Sequence, residues 1–159
     1  MEDIRVGQGY DVHELGIGLP LYLCGVGIDS PVGCIAHSDG DVALHALCDA
    51  ILGALAKGDI GHHFPDKDPA YKGIDSKILL SRVLDMMTEE GWRLGNVDIT
   101  IALQTPKLAP YINKMRNNLA KILKIKLDQI SIKANTNEGL CVTGKGEAII
   151  AYVVVLLKK

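Results

Sequence analysis

The stretch His37-Ser38-Asp39-Gly40-Asp41-Val42-Ala43-Leu44-His45, continued by Ala46-Leu47-Cys48-Asp49, predicts a polar loop that leads into a helix. We expect this helix to extend to about residue 56, with Ser38, Asp39 or Gly40 as its cap. Polar residues four positions apart predict one helix face, formed by Asp41, His45 and Asp49. A separate apolar face suited to a core consists of Leu44, Leu47, Ile51 and Leu55. The arrangement is typical of a metal or phosphate site, although acidic residues also occur at helix starts simply because they favour the helix dipole.

A second polar motif, Asp11-Val12-His13, lies in a predicted strand. Because side chains alternate along a strand, we expect Asp11 and His13 to point outward together and Val12 to point inward. With His45 they would supply one carboxylate and two imidazoles. Three such ligands leave a fourth position open, which is typical of catalytic rather than structural zinc.

The rest of the sequence alternates strands and helices, which predicts one α+β domain over residues 1–159. We predict strands at 4–12, 19–28, 94–103, 129–134 and 148–157, a turn at 30–33, and further helices at 75–91, capped by Ser76, and 109–125. The last strand is almost continuously apolar, so we expect both of its faces to be buried. The stretch 57–69 is rich in Gly and Pro and is expected to be an irregular loop. The simplest architecture is a sandwich of one β-sheet with helices packed on one face.

The composition narrows the function classes. A hydrophobic content of 48% indicates a globular chain that can also bury surface in an oligomer. Aromatic residues make up only 4% and the net charge is −2, which argues against nucleic-acid binding. The four cysteines lack CxxC spacing, so we expect reduced, mostly buried thiols. The first residues do not form a signal peptide, and no apolar run is long enough for a membrane span, so we expect no membrane partner. We expect a cytoplasmic protein, or a protein of the plastid or apicoplast stroma if a transit peptide was removed.

Three polar turns offer groups that bind phosphate: Thr105-Pro106-Lys107, Asn135-Thr136-Asn137-Glu138-Gly139 and Gly144-Lys145-Gly146. Each alone is most simply a solvated turn. Together they are typical of a nucleotide or polyphosphate site, in which the Glu138 carboxylate would suit Mg²⁺.

The chain resembles the family of 2-C-methyl-D-erythritol 2,4-cyclodiphosphate synthases, enzymes of the non-mevalonate isoprenoid pathway. The match at His37-Ser38-Asp39-Gly40-Asp41 is highly specific. The motifs that carry the resemblance run in order along nearly the whole chain: Gly9-Tyr10-Asp11-Val12-His13, residues 37–46, Gly58-Asp59-Ile60-Gly61, Phe64-Pro65-Asp66, Asn96-Val97-Asp98, Pro106-Lys107, Lys133-Ala134 with Thr136 and Glu138, and Thr143-Gly144-Lys145-Gly146-Glu147.

The resemblance implies a homotrimer with active sites between neighbouring subunits. The reaction of that family converts 4-diphosphocytidyl-2-C-methyl-D-erythritol 2-phosphate to the cyclic diphosphate and releases CMP. It implies zinc on Asp11, His13 and His45, with the substrate β-phosphate in the open position. A second cation, Mg²⁺ or Mn²⁺, is expected between Glu138 and the diphosphate.

The resemblance also assigns roles to other residues. His37 and Thr136 match the positions that stabilise the transition state, and Ser38 matches a substrate contact. The loop that binds methylerythritol phosphate is matched by Asp59, Ile60, Gly61, Phe64, Pro65, Asp66, Lys67 and Asp68. The cytidine and phosphate pocket, supplied by the neighbouring chain, is matched by Leu103, Gln104, Thr105, Pro106, Lys107, Leu108, Ala109, Ala134, Asn135 and Thr136. Further substrate contacts are expected at Asp11, Val12, His13, Asn137, Glu138, Val142 and Lys145.

Two other function classes stay open from the residues alone. A metal-dependent phosphohydrolase would release inorganic phosphate rather than CMP. A non-catalytic, zinc-dependent trimeric binding protein would not need Lys107, Thr136 and Glu138 together. The sequence also departs from the family pattern: Asn135 and Asn137 replace common threonines, and Lys145 and Tyr152 replace an arginine and an acid at a central trimer cavity that binds an isoprenoid diphosphate in some members. We therefore do not expect that ligand here.

Overall fold

The structure, a computed structural model, describes residues 2–65 and 67–159. Its main sheet contains five strands in the order β4-β1-β7-β5-β6. They are β1 (Ile4–Ile17), β4 (Val32–Cys34), β5 (Arg93–Ala102), β6 (Ile130–Asn135) and β7 (Ala148–Lys158). Only the β5–β6 pair is parallel among these described strands. A separate hairpin pairs β2 (Leu21–Leu23) with β3 (Val26–Ile28). The mixed α+β architecture is thus confirmed.

The helices are α1 (Val42–Ala54), α2 (Ile60–His63), α3 (Ser76–Glu89), α4 (Ile112–Leu123) and α5 (Cys141–Gly144), with 3₁₀ turns at Pro69–Tyr71, Ala109–Tyr111 and Leu127–Gln129. Helix α1 lies directly on β1 and β7. Its close approach depends on Gly7 and Gly9, since a Cβ atom at either would lie 1.8 Å from the carbonyl oxygen of Ala50 or Ala46. The strand and the helix therefore pack backbone against backbone.

Helix α1 differs from its prediction in two respects. Its cap is Asp41 rather than Ser38, Asp39 or Gly40, because one Asp41 oxygen accepts the N–H of Leu44 at 3.0 Å. The same carboxylate accepts the N–H groups of Cys24 and Gly25, and it is fully buried. Asp41 is also removed from the predicted polar face, because these contacts bury it completely. Asp41 therefore ties the β2–β3 hairpin to the helix start and does not join His45 at a surface.

The main sheet is covered on one face only. The prediction that β7 is buried on both faces is wrong for the single chain, because Tyr152 and Val154 are 45% and 44% exposed while Val153 and Val155 are fully buried. We call the uncovered surface the outer sheet face; it consists of Val6, Tyr10, Val12, Ile150, Tyr152 and Val154. Val12 thus points away from the helices and not into the core, while Asp11 and His13 point towards α1.

Several local predictions also change. The predicted strand 19–28 is the β2–β3 hairpin, and the turn at 30–33 runs into β4. The loop at 57–69 contains the short helix α2, capped by the Asp59 side chain. Helix α3 is capped by Asp75, so that Ser76 is its first residue. Cys24, Cys34 and Cys48 are buried free thiols, as expected, whereas Cys141 is exposed. Within the described residues, no helix combines the length and the apolarity that a membrane span requires.

Candidate metal centre

Three predicted ligands meet where β1 faces α1. His13 Nε2 lies 3.0 Å from Asp11 Oδ2 and 3.1 Å from His45 Nδ1, and His45 Nδ1 lies 3.1 Å from Asp11 Oδ2. Asp11 and His13 project from the same side of β1, and His45 projects from the first turn of α1. The three donor atoms therefore form a nearly equilateral triangle.

This triangle fits a tetrahedral metal. Zinc bonds of about 2.0–2.1 Å to nitrogen and oxygen imply donor atoms about 3.3 Å apart at tetrahedral angles. The observed separations of 3.0–3.1 Å need to open only slightly. One carboxylate and two imidazoles leave one coordination position free, as the sequence predicted.

The local field favours a cation. Partial burial acts to raise the pKa of Asp11, but hydrogen bonds and positive charge from His13 and His45 outweigh it and lower this pKa to about 2. Burial likewise acts to lower the pKa of His45, but the hydrogen bond and charge of Asp11, with the charges of Asp41 and Asp39, raise it. Carboxylates that stabilise an imidazolium ion also stabilise a bound metal ion.

The candidate metal centre opens into a cavity of about 240 Å³. Of the predicted site residues, eight line it together: Asp11, His13, His37, Ser38, His45, Ile60, Gly61 and Phe64. Asp49, predicted on the same helix face as His45, also lines the cavity. Four further lining residues were not predicted: Ala36, Tyr71, Ile74 and Leu79.

Asp49 connects two elements that line the cavity, α1 and α2. Its Oδ1 accepts the N–H of Ile60 at 2.8 Å, which fixes the start of α2 against α1. Burial raises the pKa of Asp49 despite this hydrogen bond. Further along the rim, Phe64 is buried and contacts Tyr71 edge to face, with ring centroids 5.7 Å apart. The predicted binding loop is therefore anchored at Ile60 and at Phe64.

A second cavity of about 380 Å³ lies beyond the ends of β5 and β6. Nine predicted residues line it: Leu103, Gln104, Pro106, Lys107, Leu108, Ala109, Ala134, Asn135 and Thr136, together with the unpredicted Ile112 and Ile132. Gln104 Oε1 is buried there and lacks a hydrogen-bond partner among the described residues. The cavity thus offers apolar walls, one amine and an unpaired acceptor.

The two cavities share no lining residue. Within one chain, several predicted residues line neither: Val12, Asp59, Pro65, Lys67, Asp68, Thr105, Asn137, Glu138, Val142 and Lys145. Asp59 and Asp68 instead cap short helical segments. Glu138 is exposed and lies in a left-handed turn at φ 49°. Asp66 lies outside the described residues.

Comparisons with known proteins identify the family of this chain. The model of the YgbB family matches residues 4–158. The 2-C-methyl-D-erythritol 2,4-cyclodiphosphate synthase of Pseudoalteromonas atlantica is 53% identical over 157 residues, which cover 99% of this chain and 97% of that protein. A solved structure of a synthase with that name is 43% identical with a TM-score of 0.90, covering 96% of this chain and 99% of its own. A CDP complex of IspF from Plasmodium falciparum is 37% identical with a TM-score of 0.86, covering 97% and 95%.

Proposed function

This chain belongs to the YgbB family, and on that premise we propose that it converts 4-diphosphocytidyl-2-C-methyl-D-erythritol 2-phosphate to 2-C-methyl-D-erythritol 2,4-cyclodiphosphate with release of CMP. The observation that carries the proposal is the triangle of Asp11, His13 and His45 at the mouth of a cavity that also contains His37 and Ser38. Relatives with that activity match nearly the whole chain, and one relative binds CDP. The enzyme would be a phosphorus–oxygen lyase.

The reaction forms one bond and breaks one. An oxygen of the 2-phosphate bonds to the β-phosphorus, and the bond from that phosphorus to the bridging oxygen breaks, so CMP leaves with the oxygen and the electron pair. No protein nucleophile is needed, so positioning and charge stabilisation supply the catalysis. Zinc held by Asp11, His13 and His45 would polarise the β-phosphate as a Lewis acid.

The chain's own residues orient the two halves of the substrate. We assign the methylerythritol phosphate to the first cavity, beside Ile60, Gly61 and Phe64, and the cytidine to the second cavity near Gln104 and Lys107. Further contacts from the same loop would come from Asp59, Pro65, Asp66, Lys67 and Asp68. Ser38 would contact the substrate, while His37 and Thr136 would donate hydrogen bonds to the charge that develops on the phosphates. Glu138 would hold Mg²⁺ or Mn²⁺ against the diphosphate, and Asn137, Val142 and Lys145 would complete the contacts.

We further propose a cyclic homotrimer of single-domain subunits, acting in the cytoplasm, with each active site shared by two chains. Two observations support it. The outer sheet face leaves large apolar side chains uncovered, which is typical of an interface. The cavity at the candidate metal centre and the second cavity lie apart on one chain, although the substrate must contact both.

Incubation with the cytidyl substrate, followed by phosphorus NMR, tests the reaction. We expect CMP and the cyclic diphosphate in equal amounts, and neither with His45→Ala. Release of inorganic phosphate would identify a phosphohydrolase instead. Stoichiometric zinc without any turnover would identify the non-catalytic binding protein.

Mixed oligomers test the shared site. His45→Ala and Lys107→Ala chains should each be nearly inactive alone, because each lacks one half of the site. Random trimers of equal amounts should recover about a quarter of the wild-type sites, since one interface in four joins two intact halves. Mixed trimers confirmed by native mass spectrometry but without activity would rule out the shared site.

A further inference from the structure

Ser76, which the function described so far does not use, lies directly behind the candidate metal centre. It is the first residue of α3 and is fully buried. Its Oγ lies 2.8 Å from His45 Nε2, the ring nitrogen opposite the one that faces Asp11 and His13. On its other side the hydroxyl contacts the carboxylate of Asp39.

Asp39 is held in place as an acceptor. Its Oδ1 accepts from the Ser76 hydroxyl and from the N–H of Asp41 at 3.1 Å, and its Oδ2 accepts the N–H of Ser76 at 2.9 Å. An ionised carboxylate has no proton to give. All three hydrogen bonds must therefore run towards Asp39.

The single hydrogen of the Ser76 hydroxyl indicates which ring nitrogen of His45 carries a hydrogen. A serine hydroxyl carries a single hydrogen, and Asp39 takes it. Ser76 can therefore meet His45 only by accepting, and this contact requires a hydrogen on Nε2. Ser38 Oγ, 3.2 Å from the same nitrogen, is a second, longer partner. At His45 Nδ1 the competing acceptor is Asp11 Oδ2, which is farther away, at 3.1 Å, and also lies 3.0 Å from His13 Nε2. With the hydrogen on Nε2, the lone pair of His45 Nδ1 is directed at the metal position.

We propose that Ser76 and Asp39 form a positioning pair that holds His45 as the Nε2–H tautomer, with its ring fixed for metal binding. This inference rests on the proposed metal-dependent function. Partners of this kind behind a ligating histidine fix its tautomer and orientation, and their loss typically costs about 10–100-fold in metal affinity. The pair also makes α3 part of the metal site, although α3 supplies no ligand.

Nitrogen NMR of the metal-free protein tests the tautomer. With ¹⁵N-labelled histidine, at a pH where His45 is neutral and with His45→Ala to assign its signals, we expect the hydrogen on Nε2. Ser76→Ala should shift the hydrogen towards Nδ1, because the buried acceptor at Nε2 is gone and Asp11 Oδ2 lies 3.1 Å from Nδ1. A wild-type hydrogen on Nδ1 would overturn the proposal.

Zinc affinity, measured by competition with a chelating dye, tests the consequence. Ser76→Ala should bind zinc about 10–100-fold more weakly than wild type. Thr143→Val is the matched control, since Thr143 is an equally buried hydroxyl whose partner is Asn137, and its zinc affinity should not change. Asp39→Asn serves if Ser76→Ala fails to fold, because an amide cannot accept all three hydrogen bonds, and it should weaken binding by at least about tenfold.

The outcomes separate the two proposals. If wild type binds no zinc, the proposed metal-dependent function fails. If wild type binds zinc and the folded variants bind it as tightly, only the positioning pair fails.

Discussion

Replacing Gly9 with alanine should destabilise the protein and weaken its metal site together. A Cβ atom at Gly9 would lie 1.8 Å from the Ala46 carbonyl oxygen, whereas real Cβ contacts essentially never fall below 3.0 Å. The strand and α1 must therefore separate by about 1.2 Å, because closely packed backbones have no other way to relieve the overlap. His45 directly precedes Ala46, so it would move away from Asp11 and His13, and its two donor separations of 3.1 Å would widen towards about 4 Å.

We expect the free energy of unfolding to fall by about 1–3 kcal/mol, as in other overpacked cores. Zinc affinity should fall by at least about tenfold, since a tetrahedral ion cannot reach three donors so far apart. Urea unfolding of the metal-free protein measures the first effect, at one protomer concentration because assembly also stabilises. Chelator competition measures the second.

Gly27→Ala is the matched control for Gly9→Ala. Gly27 also lies in a strand, and a Cβ atom there would make only an ordinary contact of 3.8 Å with Tyr22. Equal stability of the two variants would refute the backbone packing described for β1 and α1. A destabilised Gly9→Ala protein with wild-type zinc affinity would refute the link between that packing and the metal site.

Three further predictions concern other parts of the chain. Val154→Asp should convert the proposed trimer to monomers in sedimentation experiments, because it adds a charge to the outer sheet face, whereas Lys121→Asp on α4 should not. Partial burial acts to raise the pKa of Asp98, but the Lys133 ammonium, 2.6 Å away, lowers this pKa below the usual 3.8. Ionised Asp98 therefore stabilises the fold above pH 4, and this contribution is lost as the pH falls through the lowered pKa. The stability difference between wild type and Asp98→Asn should accordingly shrink between pH 6 and pH 3. Iodoacetamide should modify exposed Cys141 first and Cys34 only after unfolding, since burial and nearby carboxylates raise the pKa of Cys34 to about 12.

The sequence predicted the three candidate ligands, which the structure brings together, because their chemistry depends on short spacings. The two-residue interval between Asp11 and His13 requires one side of any strand, and His45 lies at the helix start where a close approach to the sheet is possible. Which side of that strand faces the helices could not be predicted. Val12 is apolar and was assigned to the core, but the outer sheet face is apolar as well, so hydrophobicity alone does not distinguish the two faces.

Contacts between segments that lie far apart in the sequence could not be predicted either. Asp41 appeared as a functional carboxylate because nothing local shows that the N–H groups of Cys24 and Gly25 approach it. Ser76 appeared as a helix cap because its contact with His45, 31 positions away, depends on how α3 packs against α1. Residues whose partners are fixed by tertiary packing carry no periodic signal.

The pairing of β1 with β7 has a consequence for protein synthesis. Asp11 lies opposite Ala151, so the strand that carries two of the three donors meets its neighbour 140 positions later. Such long-range pairings form late in folding because a long loop must first close. While the ribosome is still producing the chain, Asp11 and His13 therefore lack the rigid support that holds them beside His45. We expect nascent chains to acquire the proposed metal only after β7 has emerged from the ribosome.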